Sequence, residues 1–282
     1  MFFHSFFLVT FDTANVSIIN CICSFLTGLN LNRIRNSTNY FMFTIFKKEL
    51  RTFFSNATGY IVIGIFLILT GLFLWVIPGE YNIIDSGYAN VDGLFYLAPW
   101  MFLFLCPAVT MRLFSEEIQT GTWELLVTKP VSKMSIVLGK YFAGLVLVTL
   151  ALFPVLIYYF SVSYLAEPVG NVDSGAFWGS FTGLFFLATI YVSIGTFSSS
   201  LSGNQIISFI VAVVLSFFFY YGFEVMTGFF TSGASIQFLN TLGIHAHYKS
   251  MSRGVIDSRD LLYFISVSTL FVYATVWKLK RN

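Results

Sequence analysis

Few side chains in this sequence could perform metal or covalent chemistry. His245 and His247 are separated by one residue, so they would face different sides of a helix, and no nearby cysteine or third histidine completes a zinc site. Cys21, Cys23 and Cys106 have neither zinc nor redox spacing. We therefore interpret the histidines as interfacial polar residues and the cysteines as inert, and we expect no catalytic residue, no metal and no cofactor.

Sequence motifs for ATP binding and for protease or esterase chemistry are also missing from the sequence. It contains no Gly-x-x-x-x-Gly-Lys-Ser/Thr phosphate-binding loop, no His-Glu-x-x-His pair and no Gly-x-Ser-x-Gly elbow. No Asp, Glu or His lies in the middle of an apolar stretch, whereas proton-coupled carriers usually place such residues there. Any ATP-derived energy must therefore come from another subunit, and the chain itself is not expected to be an enzyme.

The elements that would hold these residues are membrane spans. Six apolar stretches are each long enough to cross about 30 Å of hydrocarbon: 57–77, 94–111, 136–159, 177–201, 205–223 and 261–277. Lys140 is the only Lys, Arg, Asp, Glu or His inside them, and it lies near one end, where it could snorkel to the interface. Hydrophobic residues are 57% of the chain, and a net charge of +2 gives no nucleic-acid signature. The sequence predicts an all-α, polytopic membrane protein.

The positions of Lys and Arg predict the orientation. Twelve of the fifteen basic residues lie before the first span, around 112–140 and after the sixth span. The segments 78–93 and 165–176 contain none; only the segment 224–260 disagrees. Because basic loops remain on the cytoplasmic side, we expect a multi-pass protein of the bacterial inner membrane with both termini in the cytoplasm.

The N-terminal region divides into two parts. Residues 1–41 lack the basic and small-residue features of a signal peptide and include a polar run at 30–39 that predicts a loop. We interpret them as a non-native or disordered extension, with translation starting at Met42; a weakly ordered or membrane-associated segment is the alternative. Residues 43–54 then place several phenylalanines on one helical face, which predicts an interfacial amphipathic helix before a six-span domain over 42–282. Ser55, Asn56 and Gly59 predict a bend before the first span; the alternative is a simple extension of that span into the cytoplasm.

The segment 112–135, here called the docking loop, is the most patterned polar segment. Ser115 could cap a helix whose first turn holds Glu116 and Glu117, Gly121 would end it, and Thr122 could cap a second short helix. Exposed Trp123, Leu125 and Leu126 would suit a protein docking surface. The alternative is an amphipathic loop that rests on lipid headgroups.

Small residues mark a packing face at the start of the fourth span. Gly175, Gly179 and Gly183 repeat every fourth residue, so they predict close approach of another helix. Farther along, the segment 224–260 has apolar patches separated by glycines, which suits short helices that dip into the outer leaflet.

The whole pattern resembles the ABC-2 class of ABC transporter permeases. The resemblance covers residues 42–282 and rests on the six spans, the amphipathic entry helix with 47–51 reading KKELR, and the 112–140 segment. Within that class the chain is most similar to the GldF group of gliding-motility permease subunits, on the segment 247–260.

The resemblance implies a permease subunit whose docking loop couples to a separate cytoplasmic ABC ATPase. The implied coupling residues are Arg112, Glu116, Glu117, Gly121, Thr122, Trp123, Glu124, Leu125 and Pro130. Ser199, Ser200 and Asn204 would form a second cytoplasmic contact. A second permease chain or a GldG-like subunit would complete the path through the bilayer. The alternative is a membrane scaffold that anchors motility or envelope proteins and transports nothing.

Overall fold

The computed structural model describes residues 37–128, 131–230, 233–254 and 257–281, and within these ranges the chain is helical and contains no strand. The predicted all-α fold is thus confirmed. The hypotheses about residues 1–36, and the role given to Pro130, lie outside the described residues. The first described helix begins at Ser37, so residues 37–39 are helical although the polar run there predicts a loop.

Thirteen α-helices follow one another in the described ranges. Their bounds are α1 Ser37–Ser55, α2 Ala57–Trp75, α3 Asp92–Thr110, α4 Arg112–Gln119, α5 Thr122–Val127, α6 Lys133–Leu152, α7 Leu156–Leu165, α8 Ser174–Ser199, α9 Gln205–Phe217, α10 Phe223–Thr227, α11 Gly233–Leu242, α12 Ile244–Met251 and α13 Ser258–Arg281. A 3₁₀ turn at Phe153–Val155 joins α6 to α7, and a π-helical turn at Phe218–Gly222 joins α9 to α10.

Six helical stretches in the described residues are long and apolar enough to cross a membrane, as the sequence predicted. They are Ala57–Trp75, Asp92–Gln119, Lys133–Leu165, Ser174–Ser199, Gln205–Thr227 and Ser258–Arg281. The second is longer than expected because α4 continues it beyond Met111 to Gln119. The third is longer because it begins at Lys133 and because α7 continues it to Leu165. A proline lacks the amide hydrogen for a helical bond, which explains the 3₁₀ turn at Pro154.

The fourth span, α8, is the centre of the bundle. It packs against the second, third, fifth and sixth spans, and its Leu184, Ile190 and Tyr191 are fully buried. The first and fifth spans are the most exposed of the six. We call the end of the bundle with α1, the docking loop and residues 278–281 the basic end. The acidic end holds residues 78–91, 166–173, 224–230 and 233–254.

The helix α1 lies beside the bundle at the basic end. Its apolar side buries Ile45, Phe46 and Leu50, and it packs mainly against α6 of the third span. The helix is interrupted at Asn56, where the backbone is extended, and the first span begins at the next residue. This break is the bend that the sequence predicted between the amphipathic helix and the membrane, and it leaves the polar side of α1 available to the docking loop.

Candidate coupling site

The docking loop contains two short helices, α4 and α5, separated by a turn. Gly121 ends the first with a φ of +71°, a left-handed conformation that glycine adopts without strain. Two predicted caps are wrong. Thr122 is the first residue of α5 and makes no cap bond. Ser115 lies inside α4, fully buried, and its hydroxyl donates to the Met111 carbonyl, because α4 already starts at Arg112.

A serine from the fourth span takes over the capping role. The Oγ of Ser199 accepts hydrogen bonds from the backbone amides of Phe114 (2.9 Å) and Ser115 (3.1 Å), and it donates to the Met111 carbonyl (3.0 Å). Amides in the first turn of a helix have no intrahelical acceptor, so this contact satisfies two of them. The base of the docking loop is therefore fixed to the central helix of the bundle.

Four charged side chains join the docking loop to α1 and to the third span. Within this group, here called the ion quartet, Lys140 Nζ lies 2.9 Å from Glu49 Oε1 and 3.0 Å from Glu117 Oε2. Lys48 Nζ lies 2.7 Å from Glu117 Oε1. Two lysines and two glutamates give the quartet a net charge of zero. The arrangement ties three elements together: α1, α4 and α6.

The expectation that Lys140 snorkels to the interface is wrong. Its side chain is 1% exposed, and its ammonium donates hydrogen bonds to Glu49 Oε1 and to the Leu113 carbonyl, with Glu117 Oε2 beside it as an ion-pair partner. The ammonium lies 5.0 Å from the centre of the Phe114 ring, a cation–π contact. The two carboxylates beside it compensate for the hydration that the side chain loses on burial.

The electrostatics of Lys48 agree with this picture. Partial burial would lower the pKa of its ammonium, but the hydrogen bond to Glu117 and the charges of Glu49 and Glu117 outweigh burial, so the pKa is raised. Lys48 therefore stays positively charged at neutral pH. Its side chain is 56% exposed, which makes it the solvent-facing member of the quartet.

The predicted coupling residues divide into anchored and exposed groups. Glu117 belongs to the ion quartet, and Trp123 packs edge-on against the buried Phe114 ring at 5.9 Å. Arg112 donates a 2.7 Å hydrogen bond to Thr58 of the first span. The exposed group is Glu116, Gly121, Thr122, Glu124 and Leu125, with Leu125 67% exposed. One side of the loop thus packs against the bundle, and the other side is exposed and accessible to a partner.

The residues of the second predicted contact are not all on the surface. Ser199 and Ser200 are buried, and Ser200 donates to the Phe197 carbonyl at 2.6 Å. Burial removes both from direct contact with a partner in this conformation. Asn204 is exposed, and its side chain caps α9 by accepting from the Ile206 amide at 2.9 Å. Of the three, only Asn204 offers surface to a partner, while Ser199 acts on the docking loop from inside.

The glycine row packs against the acidic end and not against another span. A Cβ built at Gly179 would lie 2.5 Å from Gly254 Cα, and one at Gly183 would lie 3.1 Å from Met251 Cβ. A Cβ at Gly175 would meet only Asp173, at 3.4 Å. Gly179 is therefore the tightest point of the row, and the partner is α12 with the turn that follows it.

Each histidine near the acidic end has a carboxylate partner. His245 Nδ1 lies 2.8 Å from Glu224 Oε2, and His247 Nδ1 lies 2.7 Å from Asp260 Oδ1. His247 also stacks on the Tyr263 ring at 4.0 Å. Among the residues described, no group of three or more His, Cys, Asp or Glu side chains could hold a metal ion.

The ion quartet was missed at the sequence level, although one signal pointed to it. A single lysine in an apolar span needs either a buried partner or access to water. The sequence pattern predicted access to water for Lys140 and no buried partner. Glu49 and Glu117 are 91 and 23 residues away from Lys140 in the chain, so no helical spacing joins the three. Their proximity depends on how α1 and α4 fold back against α6.

The comparisons with known proteins agree with this architecture. Residues 43–278 match the model of the ABC-2 family transporter proteins. No curated protein matches the chain. The matched region runs from α1 to the last turn of α13 and so includes the docking loop and the ion quartet. The chain therefore belongs to the ABC-2 transporter family, whose members are membrane components that work with an ABC ATPase.

Proposed function

We propose that this chain couples a separate ABC ATPase to movement of its spans through the docking loop. The observation that carries the proposal is the two-sided character of α4. One side is anchored by Glu117 and by the Ser199 hydroxyl, and the other exposes Glu116. A push on the exposed side would reach the third span through Lys140 and the fourth span through Ser199.

The sequence resemblance supports a narrower proposal. The segment 247–260 resembles the GldF group, so we propose a role in gliding motility, with a second permease chain or a GldG-like subunit as the membrane partner. The exposed first and fifth spans offer apolar surface for that partner or for lipid. Deletion of the gene should then abolish spreading of the source bacterium on agar, and the wild-type chain should restore it.

The docking proposal is tested by co-purification of the ATPase. Glu124→Lys and Leu125→Asp change exposed side chains without touching the ion quartet. Each should reduce recovery of the ATPase with the tagged permease by about tenfold, the effect of losing roughly 1.4 kcal/mol of contact free energy.

The matched control is Glu167→Lys, an equally exposed charge reversal at the acidic end. It should leave ATPase recovery unchanged. If the two loop variants recover as much ATPase as the control variant and the wild-type chain, docking at this loop is contradicted. If no ATPase is recovered even with the wild-type chain, the scaffold alternative is favoured.

A further inference from the structure

Two adjoining cavities open at the acidic end of the bundle. The larger has a volume of about 350 Å³ and the smaller about 160 Å³. Tyr220, His245 and Lys249 line both, so the two cavities adjoin at these side chains, and together they are called the recess. The larger volume alone reaches the lower part of the range of small-molecule sites, roughly 300–1,000 Å³. The docking loop and the ion quartet are at the other end of the molecule.

The backbone is distorted where the two cavities meet. Tyr220 lies in the π-helical turn Phe218–Gly222, in the second half of the fifth span toward the acidic end. Such turns are rare in proteins, and a large share of those that occur are at functional sites. The turn places the Tyr220 ring 5.8 Å from Trp100 of the second span and 5.4 Å from His245 of α12, edge-on to both. Three elements thus converge on one tyrosine.

Aromatic side chains form most of the wall of the larger cavity. They are Tyr81, Phe95, Tyr96, Trp100, Tyr220 and Tyr248. The Tyr248 hydroxyl donates to the Phe95 carbonyl at 2.8 Å, which fixes α12 against the second span. Trp100 is 38% exposed and Tyr96 is 63% exposed, so their rings are accessible to a ligand. Aromatic faces attract organic cations, above all ammonium groups.

The charges around the recess have both signs. Glu80 lines the larger cavity, Glu224 lines the smaller, and Lys249 lines both. Lys249 makes no ion pair or side-chain hydrogen bond with the residues that the structure describes. Burial lowers the pKa of His245, and Lys249 adds to this, while Glu224 opposes it; the imidazole is therefore neutral at pH 7. Two carboxylates and one ammonium face the recess.

We propose that this recess binds a zwitterion in which an ammonium group and a phosphate are close together, the chemistry of an ethanolamine phospholipid headgroup. The ammonium lies against the aromatic wall and Glu80, and Lys249 receives the phosphate. The recess lies where the second span meets the acidic-end loops, since Trp100 is eight residues from the start of α3. Glu80 precedes the helix, and Phe95 and Tyr96 lie near its start, so the recess opens at the end of the span, the level where Trp and Tyr are enriched and lipid headgroups occur. It extends to Trp100, about 12 Å along the helix.

The test uses the purified full-length chain in detergent and three probes. Dihexanoyl phosphatidylethanolamine carries both charges on a lipid, glycerophosphoethanolamine carries them without acyl chains, and dihexanoyl phosphatidylglycerol lacks the ammonium. Isothermal titration should detect binding of the first and not of the third. Binding of glycerophosphoethanolamine as well would show that the headgroup alone is recognised; its failure to bind would assign the site to intact lipid.

Two variants test the assignment of charges. Lys249→Gln and Glu80→Gln should each weaken binding of phosphatidylethanolamine by about tenfold, as expected for the loss of one charged contact. Arg253→Gln and Glu167→Gln are matched controls, since both residues are exposed at the acidic end and line neither cavity. Thermal unfolding of each variant checks that the fold is retained.

Three results would overturn the proposal. The first is that neither of the two ethanolamine probes binds. The second is equal affinity for phosphatidylglycerol, which would remove the role of the ammonium. The third is equal weakening by the controls and by Lys249→Gln, which would indicate a general charge effect. None of these outcomes depends on whether an ATPase docks at the basic end.

Discussion

The ammonium of Lys140 lies 2.9 Å from the carboxylate of Glu49, although 91 residues separate them in the chain. Lys140 belongs to the third span and Glu49 to the amphipathic helix, so this one contact joins the membrane bundle to the helix beside it. Glu117 of the docking loop lies 3.0 Å from the same ammonium. The ion quartet is thus the point where the loop, the amphipathic helix and the third span are held together.

Removal of Lys140 should destabilise the protein strongly. Lys140→Met leaves Glu49 and Glu117 without their buried cation, which costs about 3–5 kcal/mol for a buried ion pair. Thermal unfolding in detergent measures the loss. Lys47→Met is the control because Lys47 is an exposed lysine of α1, the helix that carries Glu49, and it should change stability by less than about 0.5 kcal/mol.

A double variant separates pairing from packing. If the ion quartet acts as a unit, adding Glu117→Gln to Lys140→Met should cost less than the sum of the single changes, because the second change removes an uncompensated charge. Strict additivity would mean that the two residues do not interact in solution.

The glycine row should respond in an order set by the closeness of α12. Gly179→Ala should be the most harmful, at about 1–3 kcal/mol, because its Cβ would meet backbone atoms at 2.5 Å. Gly183→Ala should cost less, since a side chain can shift, and Gly175→Ala least of the three. The yield and unfolding temperature of each variant report the order. Gly64→Ala is the control, with no atom within 4 Å of its Cβ, and a harmful Gly64→Ala with a harmless Gly179→Ala would contradict the packing face.

The orientation of the chain stays a prediction that reporter fusions can test. Since most basic residues lie at one end of the bundle, alkaline phosphatase fused at the C-terminus should be inactive. The same enzyme fused after Asp85 should be active. The opposite pattern would place the docking loop outside the cytoplasm and remove its proposed partner.

The stability of the acidic end should depend on pH through His245. Its pKa is lowered in the folded chain, so the unfolded chain binds the proton more readily. This contribution is complete above the ordinary histidine value of about 6.5 and is lost as the pH falls toward the folded value. His245→Gln should therefore lose less stability than the wild type between pH 7 and pH 5, measured by thermal unfolding. Parallel losses would show that another group is responsible.

Long-range contacts divide what the sequence predicts from what it does not. The six spans follow from apolar length, and the turn at Gly121 and the break at Asn56 follow from local preferences. The predicted cap at Ser115 is wrong because Ser115 lies inside α4, where Ser199, 84 residues away, supplies the acceptor. The predicted cap at Thr122 is wrong because Thr122 is already the first residue of α5. The role of Lys140 was wrong because its partners come from two other helices. Local sequence patterns are enough to predict the helices and their turns. The pairing of buried polar groups depends instead on how the helices pack against one another.

Site-specific photocrosslinking tests the central claim most directly. A photoreactive amino acid at Leu125, which is 67% exposed in the docking loop, is activated in intact cells and the adducts are identified by mass spectrometry. A second position, Tyr164, is 79% exposed near the acidic end and serves as the control. Coupling through the docking loop predicts an adduct with an ABC ATPase at Leu125 and none at Tyr164. An ATPase adduct at Tyr164 alone, or none at Leu125 in a strain that expresses the ATPase, would contradict it.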